Sequence, residues 1–211
     1  MCAIVGSFNK DKLIELIELN SYRGSHSYSF STFDVESGTM VVRQKALGAI
    51  NYDHINIPTN HHYAVVHIQA PTTEAKNTST IHPAEEEDTL LWHNGIVKAN
   101  HVKVLQSRFG NDTGWDTKLL LRAVNYSKDE LNRVDGSFSC LWYACGGMYL
   151  FRNSISPMFY DANLNISSTK FEDSISTPAN KILHMDFKTG ALYNRYDFVT
   201  VENPYFFGDE F

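Results

Sequence analysis

The chain has 211 residues, 43% of them hydrophobic and 20% charged, enough apolar surface to close a sizeable core and too much for a disordered chain. Its net charge of −6, with no basic stripe, argues against nucleic acid or an anionic membrane as the primary partner, because phosphate binding needs clustered Lys and Arg. There is no charged n-region followed by an apolar h-region and no bilayer-length apolar run, so a cytosolic protein forming a single domain over 1–211 is expected.

Residues 2–8 read as a short buried strand. Asp11 to Leu19 follow with Leu13, Ile14, Leu16, Ile17 and Leu19 at amphipathic helical spacing, and Asp11 is placed to cap that helix. A polar loop through Tyr22-Arg23-Gly24-Ser25-His26 leads into alternating strands at 28–34 and 39–44. The next strand, Tyr63 to Ile68, ends at Gln69-Ala70-Pro71-Thr72, where Pro71 stops regular pairing. The acidic run Glu85-Glu86-Glu87-Asp88 reads as a solvated turn before the strand Thr89–His93, which is expected to break at Asn94-Gly95, a turn dipeptide. A helical segment near 100–108 precedes a second good helix opened by Gly114-Trp115-Asp116-Thr117, with Thr113 or Asp116 as its cap, and Ser127 can cap a short third helix. From Gly136 the chain is β, with strands at 137–144, 148–152, 158–160, 165–168, 181–185 and 191–195, and it ends in an aromatic tail, Tyr205-Phe206-Phe207. Strand, helix and hairpins without repeat or linker give an α+β class with mostly antiparallel strands.

Three cysteines without metal-ligand spacing suggest neither a disulfide framework nor a zinc site. The adjacent His61-His62 would point to opposite faces of a strand and chelate poorly. Cys140 and Cys145 sit in an apolar strand-turn-strand pattern and read as core or near-core residues. Cys2 differs by position. Aminopeptidase removal of Met1, which small second residues permit, would leave a cysteine carrying both a thiol and an α-amine. That amine has an unperturbed pKa of about 7.7–8.0 and can take the thiol's proton. Cys2 is otherwise a small core residue. Asn94-Gly95 is either an ordinary turn or a pair of donors, the glycine N–H and the asparagine amide, for a developing oxyanion. Asp116 is either a helix cap or a charged group at a site.

These motifs, in this order, resemble the class II glutamine amidotransferase domain, the N-terminal-nucleophile glutaminase of asparagine synthetase and glucosamine-phosphate synthase. Met1-Cys2-Ala3-Ile4-Val5-Gly6 is similar to the family start, Tyr22-Arg23-Gly24 to its Arg-Gly loop, Val66-His67-Ile68-Gln69 to its His-x-Arg strand end, and His82-Pro83 to its His-Pro. Leu91-Trp92-His93-Asn94-Gly95 is similar to its Val-His-Asn-Gly-Glu motif, and Gly114-Trp115-Asp116-Thr117 lies where it has Ser-Asp-Thr. The resemblance covers nearly the whole chain. It implies a four-layer αββα sandwich with two mostly antiparallel sheets. Cys2 would then be the nucleophile that hydrolyses a glutamine side-chain amide, Asn94 and Gly95 the oxyanion donors, and Asp116 the partner of the α-ammonium. Arg23 would hold the surroundings of Cys2, and Thr72 would contact substrate. No cofactor is needed for this route. With no synthetase module attached, the ammonia acceptor is expected on a partner subunit, and the aromatic tail is a candidate docking element.

The chain departs from the pattern at Gln69, where the family arginine grips the α-carboxylate of glutamine. A neutral amide lacks that charge and fork, a difference of about 1.5–3 kcal/mol. Three outcomes stay open: another cation (Lys45, Arg43 or Lys76) compensates, a partner orders the site, or the substrate is a different amide. A stand-alone amidohydrolase and a catalytically silent protein of the same fold are the alternatives.

Overall fold

The computed structural model describes residues 2–70 and 78–201. Two antiparallel sheets form its middle. The first carries β1 (Ala3–Ser7), β2 (Ser27–Asp34), β3 (Thr39–Leu47), β4 (His62–Gln69) and the two-residue strands β9 (Phe159–Tyr160), β10 (Ile166–Ser167) and β11 (Ile175–Ser176), in the order β11-β9-β10-β1-β4-β2-β3. The second carries β5 (Ala84–Glu86), β6 (Thr89–Val97), β7 (Gly136–Ala144), β8 (Gly147–Arg152), β12 (Lys181–Asp186) and β13 (Ala191–Asp197), in the order β13-β12-β8-β7-β6-β5.

Side-chain alternation explains the layering. Along β1, Ala3 and Val5 point outward and pack with Leu13, Leu16 and Ile17 of α1 (Lys10–Leu19), while Ile4 points inward among Trp92, Leu141 and Leu150 of the second sheet. A strand buried on both faces must be apolar at every position, and β1 is fully buried along its length. The outer face of the second sheet packs Leu91, Phe138, Cys140 and Trp142 against Leu105 of α2 (Ala99–Phe109) and Leu119, Leu120 and Val124 of α3 (Asp116–Tyr126). The layers therefore run α1, first sheet, second sheet, α2 with α3, the four-layer sandwich expected above. Among the described residues, no helix is long and apolar enough to cross a membrane.

Several local expectations are corrected. Helix α1 is capped by Asn9, whose side chain accepts from the Lys12 N–H at 2.9 Å, not by Asp11. β6 does not break at Asn94-Gly95 but runs on to Val97, because eight consecutive residues pair with β7. The first part of the acidic run is strand β5, and Glu86 there is held by Lys118 and by Arg122 at 3.2 Å. Asp116 is the first residue of α3 rather than its cap, and the Thr113 hydroxyl accepts from the Trp115 N–H ahead of the helix, so no side chain caps that helix. Ser127 does cap a short third helix as expected, a 3-10 helix over Lys128–Arg133. Pro71, Thr72, Lys76 and the aromatic tail lie outside the described residues.

Candidate active site

Cys2 precedes β1, and its side chain is 5% exposed. Burial pushes the Cys2 thiol pKa up. A contact from the thiol to the Ala70 carbonyl (3.9 Å) and the Arg23 charge act against that rise, and the Asp116 charge adds to it. The thiol is thus protonated at neutral pH unless a base acts on it. Arg23 comes from the loop after α1. Its guanidinium donates to the Thr169 hydroxyl (2.9 Å), the Ser168 carbonyl (3.3 Å) and the Cys2 carbonyl (3.5 Å), which ties the backbone of Cys2 to the strand edge. Gly24 beside it is required by close approach, since a Cβ there would stand 2.5 Å from the Ala70 nitrogen.

Cys2 opens into a cavity of about 740 Å³ that is also lined by Gln69, Gly95 and Asp116. Gly95 sits in β6 with φ +151°, and a Cβ would overlap the Ser137 carbonyl of β7, so only glycine fits this bend at the cavity wall. Two residues on, the Val97 N–H donates to Asp116 Oδ2 (3.2 Å) and ties the end of β6 to the start of α3. Asp116 Oδ1 accepts from its neighbour's N–H at 2.7 Å. The carboxylate that resembled a cap therefore fixes a strand-helix junction and faces the cavity.

Four of the sequence-picked residues meet at this cavity. Arg23 stands behind Cys2, Asn94 is buried in β6 and is not part of the cavity lining, and Thr72 falls outside the described residues. Lys45 is engaged with the Pro83 carbonyl (2.7 Å) and Glu85 (2.6 Å), and Arg43 with Thr32 (2.8 Å), so neither reaches the cavity as a compensating cation.

The sequence reading gave no role to the histidines around Gln69, although His82 and His93 lie within motifs it quoted. His82 Nδ1 meets Gln69 Oε1 at 3.3 Å, His82 Nε2 meets the Thr117 hydroxyl at 3.0 Å, and His93 Nδ1 meets the same hydroxyl at 3.2 Å. His67 stacks on His82 with ring centroids 3.9 Å apart and donates to the His93 carbonyl at 3.1 Å. Burial lowers the His67 pKa to about 3 and puts that of His82 well below the usual imidazole range, so both are neutral. Among the described residues, no group of three or more His, Cys, Asp or Glu could hold a metal ion.

Two solved structures share this architecture. One is the glutamine phosphoribosylpyrophosphate amidotransferase of B. subtilis in complex with ADP and GMP, similar at a TM-score of 0.68 with 13% identity over 92% of this chain and 49% of that one. The other, described as the allosteric regulatory enzyme of purine biosynthesis, is similar at 0.66 with 15% identity over 90% of this chain and 48% of that one. The fold is the four-layer αββα sandwich of these two structures. The chain spans about half the length of each of these structures, and at such identities the likeness is one of fold. No protein-family model and no curated protein matches the chain.

Proposed function

We propose that the protein is a glutamine amidotransferase-type hydrolase in which removal of Met1 makes Cys2 the N-terminal nucleophile. The observation that carries this reading is a buried thiol before β1 opening into one cavity with the Gly95 backbone and the Asp116 carboxylate. The freed α-amine of Cys2 takes the thiol proton, and the thiolate attacks the carbonyl carbon of a side-chain amide. The Gly95 N–H at the cavity wall stabilises the tetrahedral oxyanion. The α-ammonium returns its proton to the departing nitrogen, so ammonia leaves and an acyl thioester remains on Cys2. Water then hydrolyses the thioester to a carboxylate and restores the thiol. Asp116 pairs with the substrate's own α-ammonium, a charge-assisted contact that selects an amino-acid amide over a simple one. Passage of the ammonia to an acceptor on a partner protein belongs to the same reading.

The test is ammonia release by the purified, Met1-processed protein from amide substrates, against Cys2→Ser and Cys2→Ala variants. The reading requires release in the wild type and its loss in both variants. Equal ammonia from wild type and Cys2→Ala would contradict it. A hydrolase acting on an amide other than free glutamine is favoured by one observation. The Gln69 side chain is already held by Ser27, Thr80 and His82, each at 3.3 Å.

A further inference from the structure

The hydrogen bonds around Gln69 have a direction, and that direction sets what the cavity floor can receive. Gln69 Nε2 donates to the Thr80 carbonyl (3.3 Å), which fixes Oε1 on the other side, where it accepts from the Ser27 hydroxyl (3.3 Å) and from His82 Nδ1 (3.3 Å). Ser27 has a single proton and gives it to Gln69, so its oxygen accepts from His26 Nδ1 at 3.3 Å. In the tautomer with its N–H on Nδ1, the acceptor nitrogen of His26 is Nε2. It is buried, has no hydrogen-bond partner among the described residues, and belongs to a side chain that lines the cavity. On the other flank, neutral His82 meets Gln69 Oε1 through Nδ1 and, through Nε2, the Thr117 hydroxyl that it shares with His93 and Asp116. Gln69 thus organises an uncharged wall with an unfilled acceptor at His26 and one further N–H on its own amide.

The charges around the cavity agree. Its described lining holds the Asp116 carboxylate, the Asp112 carboxylate, which is already paired with Arg122 (2.5 Å), and one cation, Lys103, which is exposed on α2. A free amino acid would have to place its α-carboxylate against lone pairs and the Asp116 carboxylate, which is unfavourable without a paired cation. Resting on the hydrolase reading above, we propose that the substrate is the N-terminal glutaminyl residue of a peptide rather than free glutamine. Its α-ammonium pairs with Asp116. Its peptide carbonyl, uncharged, receives the Gln69 N–H, and the N–H of the second residue fills the acceptor at His26. The rest of the peptide lies along the α2 side of the cavity, lined by Val102 and Gln106, and about 740 Å³ has room for a dipeptide or more. In the reaction Cys2 Sγ bonds the side-chain carbonyl carbon, the C–N bond breaks, ammonia departs with the thiol's proton, and water converts the thioester to a glutamate side chain.

The deciding experiment compares kcat/KM for ammonia release from glutaminyl-glycine, N-acetyl-glutaminyl-glycine and L-glutamine, with labelling of Cys2 by diazo-oxo-norleucine measured in parallel. Glutaminyl-glycine is expected to exceed L-glutamine by at least about tenfold, the equivalent of one charge-assisted contact. The acetylated peptide, without an ammonium for Asp116, is expected to be inert. Gln69→Arg supplies a cation at the floor and is expected to move the preference toward L-glutamine. If L-glutamine matches or exceeds the peptide while Cys2 is labelled, the peptide assignment is overturned and the hydrolase reading stands. If no amide yields ammonia and Cys2 is not labelled, both are overturned.

Discussion

Cys2 sits where its thiol is hard to ionise unaided: burial raises its pKa first, and Asp116 raises it further. A substrate ammonium paired with Asp116 would cancel that second contribution, so binding itself makes the thiol easier to deprotonate. Asp116→Asn should therefore lower the Cys2 thiol pKa, read as faster iodoacetamide alkylation at a fixed pH. The same change should cut amide hydrolysis by at least about tenfold through loss of the charge-assisted contact. An alkylation profile that does not move would sink the electrostatic coupling. At this scale Cys2, Gln69, Gly95 and Asp116 were legible because each belongs to a short motif. His26 and Thr117 were not, since their roles arise from partners brought together across the fold, such as His82 and His93 on Thr117.

β6 shows how pairing overrides a turn signal. Asn-Gly predicts a break, yet Gly95 stays in register opposite Phe138 and spends its freedom on a φ of +151° against the Ser137 carbonyl. A turn dipeptide in a strand interior has become the bend that exposes backbone to the cavity. Gly95→Ala should combine left-handed strain with overlap on β7 and destabilise the protein by at least about 3 kcal/mol in urea unfolding. A loss below about 0.5 kcal/mol, the range of ordinary surface changes, would show that β6 does not need this conformation. The start of α3 was misread for a similar reason. An aspartate at a helix start looks like a cap, but Asp116 bonds Val97 of β6 instead, a contact between elements that local pattern does not reveal.

Across the whole molecule the α+β class was legible in the strand and helix patterns and the layering only through the family resemblance, because what fixes it, Ala3 and Val5 toward α1 and Ile4 toward the second sheet, is set by partners distant in sequence. The buried histidines between cavity and core were not legible, and they give the fold a pH dependence. His67 titrates near 3 in the folded protein and near 6.5 in an unfolded chain. Between those values the unfolded state binds the proton and the native state does not, so stability rises with pH through this window and falls as pH drops below 6.5. From pH 7 to pH 5 the loss from His67 alone is about 2 kcal/mol, and His82, shifted the same way, adds to it. His67→Gln, which keeps an N–H for the His93 carbonyl, should flatten that slope in thermal melts at the two pH values. An unchanged slope would assign the acid sensitivity elsewhere.

The central claim is that Cys2, freed of Met1, is the nucleophile, and intact-protein mass spectrometry after treatment with diazo-oxo-norleucine tests it most directly. The predicted spectrum shows loss of Met1 and a single adduct that peptide mapping assigns to Cys2, with Cys140 in the core and Cys145 on the β7–β8 turn unmodified. Retention of Met1, or an adduct on Cys145 with none on Cys2, would contradict it.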